Sequence, residues 1–331
     1  MIKSSTKPRQ PRRRAWPLDR LIHERSIALG SSLDKSTFGS YSSALNSYIT
    51  FCKLHKRPIE PTADTMSFYV VYMSHHIKPD SVDTYLSGIC NQLELHFPNV
   101  RSIRSSHMVS RTLKGCKRLY GSEVRRKLPI GIDDLRRIIL SIGHSTSHDD
   151  KLFLCQLLTG FHGLLRCGEL TSHDSPSRRN SRKATMRFSV VHPSPSSFGF
   201  TLPSNKTDPF FQGNHIVIKW FIRDVDPLPF FSSYVTSRDR LFPIHPQLWL
   251  RGNGSVPTRS WFINRLRKFF PDGQVAGQSM RAGGATCLAS SGATPAIIQA
   301  AGRWVSNTFQ IYIRKNPILL QALLHSDCEQ L

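Results

Sequence analysis

Gly277 to Tyr312 reads GQSMRAGGATCLASSGATPAIIQAAGRWVSNTFQIY, and this stretch decides how the rest of the chain is read. Pro295 behind Thr294 has the pattern of an N1 proline after an N-cap, which predicts a helix that stops near Gly302. A second short helix would then carry Tyr312. Arg281 opens the preceding helix, where a guanidinium and free backbone amides can together hold a phosphate. Gly and Pro thus divide the stretch into short helical pieces bearing two arginines, a Trp and a Tyr. That layout suits a phosphodiester lying across helix ends.

Composition agrees. In a chain of 331 residues the formal charge is +23, extreme for an enzyme of small metabolites and expected for a protein that neutralises a polyanion. The length allows two modest domains, each with a core. No apolar run reaches the roughly 18 residues of a membrane span and no secretory segment follows Met1, so the chain reads as intracellular and soluble, with no membrane partner. Seven cysteines (Cys52, Cys90, Cys116, Cys155, Cys167, Cys287, Cys328) are odd in number and form no C-x-x-C pair, which points to reduced thiols. His75-His76 and the pair His144 and His148 have no acidic or cysteine partners at metal spacing and read as helix-end residues.

Outward from the key stretch, four segments follow from composition and periodicity. Residues 1–34 carry Lys3, Lys7, Arg9, Arg12, Arg13 and Arg14 among Pro, Ser and Gln, the pattern of a disordered basic arm and of a nuclear-import or phosphate-binding tail. Residues 35–121 read as a helical domain: Phe38, Tyr41, Leu45, Tyr48 and Cys52 mark one face, a second helix starts near Thr62, a third near Ser81 and a fourth runs from about Ser106 to Tyr120. Arg111, Lys114, Lys117 and Arg118 on that fourth helix are either an ordinary solvated face or one side of a clamp on a duplex backbone, and the overall charge favours the clamp. Residues 122–132, with Gly121 before them and Pro129 among them, break the periodicity and read as a linker.

Residues 133–331 read as a mixed domain. A helix over Asp133 to Ile142 precedes a strongly apolar one, Leu152 to Leu165, which ends in Arg166 with Glu169 three residues on. Taken alone, that pair is no more than one turn of helix with an internal ion pair. Alternation at Met186, Phe188 and Val190, at Phe198, Phe200 and Leu202, and at Ile216 and Ile218 predicts a small antiparallel sheet. Phe221 to Phe242, rich in Pro and aromatics, reads as an irregular connection. Helix returns from Thr258, with Arg259 and Arg265 interleaved among apolar residues as backbone-contacting candidates.

The box Gln278-Ser279-Met280-Arg281, then Gly302-Arg303-Trp304, then Tyr312 eight residues after Trp304, resembles the C-terminal half of the active site of tyrosine recombinases. These integrase-type DNA breaking and rejoining enzymes carry His-x-x-Arg, then Gly-His or Gly-Trp, then a nucleophilic Tyr. The run GRWVSNTFQIYIR looks closest to recombinases of eukaryotic mobile elements of the DIRS and Crypton types. The resemblance implies a mostly α fold with a small antiparallel β-sheet: an N-terminal helical core-binding domain followed by a mixed α+β catalytic domain. It implies Arg166 and Arg281 as phosphate clamps, Glu169 as the residue that orients Arg166, and Lys206 on a polar hairpin as the acid for the leaving oxygen, with Lys219 as the fallback. Trp304 would donate one hydrogen bond and Tyr312 would attack phosphorus. Gln278 departs from the usual His and can donate to a phosphate oxygen without serving as a base. The chemistry calls for no cofactor or metal. The implied partners are double-stranded DNA and further copies of the chain, as a dimer to tetramer on DNA, in the nucleus. The alternative is a domesticated DNA-binding protein that keeps the fold without catalysis.

Overall fold

The computed structural model describes residues 13–122, 126–204, 211–219 and 223–304. The chain divides into two compact units, Met1–Val124 and Arg125–Leu331. Each has its own apolar core.

In the first unit, α1 (Leu18–Gly30), α2 (Lys35–Leu54), α3 (Ala63–Ser74), α4 (Pro79–Leu93), α5 (Val100–Ser105) and α6 (His107–Tyr120) follow one another. Thr62 accepts from Thr65 N–H and Ser106 from Val109 N–H, where the sequence places helix starts, and Asp34 accepts from Ser36 N–H, each satisfying an amide that has no partner within its helix. Helix α2 packs on α4 and α3 on α6. Between them Tyr48 and Phe51 meet Tyr69 edge-on at 5.5 Å, over Met66, Val82, Leu86 and Ile89. The expectation of disorder across residues 1–34 is corrected over Leu18–Gly30. LDRLIHERSIALG is built of helix formers, and Arg20 stacks over the Trp16 ring at 4.0 Å, but the charge-rich segment around it hid the periodicity. No residue of α1 is buried.

The second unit is organised around α8 (His148–His162), in which every residue from Leu152 onward is buried. A helix apolar on all sides needs neighbours on all sides. Packed on it are α7 (Ile132–Ile142), the short α9 (Cys167–Leu170), α10 (Pro227–Leu241) and α12 (Ser279–Ser290), together with strand β3. The antiparallel sheet runs in the order β1 (Val191–Ser194), β2 (Ser197–Leu202), β3 (Asn214–Lys219). Its register sets Phe198 opposite Ile218 and Phe200 opposite Ile216, all four buried. Helices α11 (Arg259–Phe269) and α13 (Pro295–Gly302) complete the unit. Both begin as the sequence predicts, with Thr258 and Thr294 as caps. The class is thus mostly α with a small antiparallel sheet.

Two expectations for this unit are corrected. Met186 to Val190 is not a strand: Arg187 grips Asp239 through two nitrogens and its N–H donates to Pro246 O, which draws the segment into a 3₁₀ turn. Phe221 to Phe242 is not an irregular connection, because it holds α10. Asp226 caps it by accepting from Leu228 N–H, and Pro227 and Pro229 fall in the first turn, where a missing N–H removes no helix bond. The aromatics are its buried face, Phe231 stacking on Phe198 and Tyr234 on Trp249. The residues read as a linker over 122–132 are, from Lys127 on, bonded into the second unit: Leu128 N–H donates to Gln274 O and Ile130 N–H to Ser279 O.

Helix α12 approaches α8 and Ile130 so closely that only hydrogen fits at Gly283 and Gly284. A Cβ at Gly283 would overlap the Ile130 carbonyl, and one at Gly284 the Phe161 carbonyl and the Leu164 side chain. Gly284→Ala is therefore expected to lower stability by about 1–3 kcal/mol in denaturant unfolding, the usual cost of overpacking. Gly115→Ala on α6, where nothing lies within 4 Å, is expected to raise it by up to about 1 kcal/mol. Wild-type stability in Gly284→Ala would contradict the close approach.

Candidate active site

Two helix ends meet at the site. Helix α8 closes with Leu165 N–H donating to Gly160 O and Leu164 N–H to Phe161 O, around Leu164 at φ +48°. Helix α13 closes in the same way, with Trp304 N–H donating to Gln299 O and Arg303 N–H to Ala300 O, around Arg303 at φ +55°. This left-handed helix stop is usually made by glycine. Here a leucine and an arginine adopt it, at a cost on the order of 1 kcal/mol each. The last carbonyls of both helices are left facing inward, each end carrying a partial negative charge of roughly half a unit.

Arg281, on the first turn of α12 and 4% exposed, fills the gap between them. Its Nη1 donates to Leu164 O at 3.0 Å and its Nη2 to Gly302 O. Its Cζ lies 4.2 Å from the centre of the Trp304 ring, a cation–π contact that covers one face of the guanidinium. Trp304 in turn lies on Gly302, where any Cβ would overlap the indole. That contact explains the glycine of Gly302-Arg303-Trp304.

Arg166 sits at the turn that leaves α8 and caps α9. Glu169 receives its backbone N–H on Oε2 at 2.8 Å and its Nη1 on Oε1 at 2.9 Å. The same carboxylate, 6% exposed, accepts from Arg303 Nη2 at 3.3 Å. Arg303 also donates to Gly163 O and Leu164 O at 3.4 and 3.3 Å. Burial, with the neighbouring Arg166 guanidinium, pushes Arg303 below the usual arginine range while Glu169 opposes the shift. Among the described residues the cluster therefore holds three guanidiniums and one carboxylate. The two helix ends offset roughly one of the two excess positive charges. Among the contacts described, that leaves positive charge beside Arg166, whose side chain at 29% is the most exposed of the three. A phosphodiester carries one negative charge, and a planar guanidinium fork can take two of its oxygens.

The structure thus brings together Arg166, Glu169, Arg281 and Trp304. Gln278 stands at the N-cap position of the helix that carries Arg281, makes no side-chain cap bond and is exposed. Lys206 and Tyr312 lie outside the described residues, Lys206 within the connection from β2 to β3. Lys219 is at the other end of that strand pair, opposite Ser197. Arg259 is exposed and close enough to Cys167 to pull down a thiol that burial pushes up, which sets it beside the turn bearing Arg166. Arg265 is placed differently from the expectation of a phosphate contact: it pairs with Asp150, lies 3.8 Å from Asp149 and stacks over Trp261. Lys117 likewise pairs with Asp83 at 2.9 Å and Asp80 at 3.2 Å, whereas Arg111, Lys114 and Arg118 are exposed. His148 bridges Ser237 Oγ and Leu250 O, both at 2.9 Å, a structural role.

Sequence reasoning missed Arg303 as a site residue. The signal was present, since an arginine stands directly after the glycine that ends a helix. Sequence reasoning did not single out Arg178, Arg179, Arg182 and Lys183, which are exposed on or beside two 3₁₀ turns between α9 and the sheet.

No family model and no curated protein matches the chain. Among solved structures it is similar to the XerH site-specific recombinase bound to palindromic difH substrate in a post-cleavage complex, with a TM-score of 0.60 at 14% identity over 87% of this chain and 78% of that one. It is similar to the Tn1549 transposon integrase in complex with circular intermediate DNA, with a TM-score of 0.57 at 12% identity over 92% and 98%. A lambda integrase dimer bound to a COC' core site gives 0.54 at 11% over 89% and 94%. The chain has the fold of the tyrosine recombinases and integrases. Among the described residues, no helix is long and apolar enough to cross a membrane.

The turn bearing Arg166 hangs from His162, the last residue of α8, whose Nε2 lies 2.9 Å from Val225 O. Burial pushes His162 down to about 4 from an ordinary 6.5. A histidine held neutral in the fold and protonated when unfolded contributes stability that is complete above the unfolded pKa and is lost as pH falls toward the folded one. Between pH 7.5 and 5 the loss from this group is about 2 kcal/mol. Urea unfolding of His162→Asn is expected to show a pH dependence smaller than wild type by that amount. Parallel pH profiles would refute the assignment.

Proposed function

We propose that the protein cleaves and rejoins duplex DNA through a covalent 3′-phosphotyrosine, as a tyrosine-type recombinase. The observation that carries this reading is the convergence of Arg166, Arg281 and Trp304, with Glu169 and Arg303, at the meeting of two helix ends in a tyrosine recombinase fold. The phenol oxygen of Tyr312 attacks phosphorus and gives up its proton to solvent water. The bond from phosphorus to the 5′-oxygen breaks, and Lys206 protonates the departing 5′-oxygen. The reverse attack by a 5′-hydroxyl reseals a strand without ATP, because the phosphotyrosine keeps the bond energy. Charge builds on the non-bridging oxygens at the transition state, so preplaced guanidiniums lower the barrier more than they tighten ground-state binding. A free tyrosine hydroxyl titrates near 10, and the surplus positive charge of the cluster is what would activate it.

The similarity to a transposon integrase supports integration of a mobile element as the biological use, with the nucleus as its setting if the basic residues 1–14 act as an import signal. Assembly of several copies on DNA belongs to the same reading. The duplex backbone would lie against Arg111, Lys114 and Arg118 on the first unit and against Arg259 and the run from Arg178 to Lys183 on the second. The exposed Gln278 at the head of α12 favours a second reading, a DNA-binding protein that keeps the fold with slow or no cleavage.

A suicide duplex nicked beside the cleavage point separates the two. Wild type is expected to form a protease-sensitive DNA adduct that vanishes in Tyr312→Phe and slows by about 10² or more in Arg166→Ala. Binding without any adduct would establish the second reading instead. The backbone contacts are checked by salt. For the variant with Arg111, Lys114 and Arg118 changed to Ser, the slope of log affinity against log salt is expected to shrink by roughly 2–3, and for Lys117→Ser it should hold. Equal slopes in all three proteins would remove α6 from the interface.

A further inference from the structure

Arg303 stands at a backbone conformation that favours glycine, φ +55° and ψ 44°, yet it carries the largest cationic side chain available. Both of its terminal nitrogens have acceptors, while its Nε is buried without one. Nη1 faces Gly163 O and Ala301 O, both at 3.4 Å, and Nη2 faces Leu164 O and Glu169 Oε2, both at 3.3 Å. The side chain is only 13% exposed. Neither terminal nitrogen is turned to solvent for a substrate.

What Arg303 touches are the acceptors of the other two arginines. Glu169 holds Arg166 by both its backbone N–H and its Nη1. Leu164 O receives Arg281 Nη1. We infer that Arg303 is a positioning residue: by tying the Glu169 carboxylate to the Leu164 carbonyl, it locks Arg166 and Arg281 into one register without itself touching the DNA. This rests on the strand-transfer reading for its use, and on the contacts above for its geometry. A clamp held within a fraction of an ångström retains catalytic power that a loosened one loses.

Arg303→Gly is the informative variant, since glycine suits the left-handed stop and folding is preserved while the guanidinium is removed. On the suicide duplex its single-turnover rate of adduct formation is expected to fall at least tenfold. Its Kd for the uncleaved duplex should stay within about twofold of wild type. Arg303→Gly combined with Glu169→Gln should lose no more than the worse of the two single variants, because both break the same tie. An unchanged rate, a Kd that weakens in step with the rate, or additive losses would overturn the proposal. A second readout needs no cleavage. In the DNA-free protein, the Nη resonances of Arg166 are expected to be split by hindered rotation in wild type and averaged in Arg303→Gly. If wild type forms no adduct, the strand-transfer reading falls, and this spectrum alone decides: splitting lost supports the tie, and splitting retained refutes it.

Discussion

Two helices that end against one another present each other with like partial charges, and in the second unit the buried Arg281, with Arg303 beside it, resolves the conflict. Arg281 donates to Leu164 O, in the turn just past α8, and to Gly302 O, the last carbonyl of α13. A cation in partly buried contact with a helix C-terminus is worth up to about 2 kcal/mol, and Arg281 reaches both ends with Arg303 alongside it. The converse also holds. A guanidinium at 4% exposure without partners would cost several kcal/mol, so the carbonyls at the two helix ends help Arg281 to be buried. The close packing of α12 on α8 at Gly283 and Gly284 delivers the arginine to that point.

In the strand-transfer reading, structural and chemical roles would coincide in this residue. An arginine that only bridged helix ends would explain Arg281 by itself. It would not explain why a second guanidinium, Arg166, is set beside the same turn with its side chain partly open to solvent, or why Glu169 divides its two oxygens between Arg166 and Arg303. A cluster serving stability alone would match its charges. This one keeps an excess beside its most exposed member, which is the electrostatic form of an anion site.

Much of this was legible in the residues. Thr294-Pro295, Thr258 and Thr62 each named a helix start, because capping is a local rule that a few residues satisfy by themselves. Arg166 with Glu169, and Arg281 with Trp304, could be picked out as pairs by resemblance. What joins them was not legible: neither the shared Leu164 carbonyl nor the second oxygen of Glu169 leaves a sequence trace, since both depend on two helices stopping at the same place. The arm around α1 and the aromatic run of α10 were misread for one reason. Strong local composition, charge in one and Pro with aromatics in the other, masked a helical segment that rests on helix-forming residues in α1 and on the Asp226 cap and a buried aromatic face in α10. Arg265 and Lys117 show the limit of reading charge along a helix, because the acids that hold them come from other elements.

The surplus charge also links binding to stability. Arg166 and Arg303 repel one another across Glu169, and burial intensifies that repulsion at Arg303. In the strand-transfer reading, a phosphate at Arg166 would supply negative charge and relieve that repulsion. Its binding energy would then be partly a folding energy, with the liganded state the more stable one. In the strand-transfer reading this coupling has a direction. Charge on the phosphoryl oxygens is greatest at the transition state, so the cluster is best neutralised there, and the electrostatic imbalance tolerated in the resting protein becomes a preference for the transition state over the bound duplex.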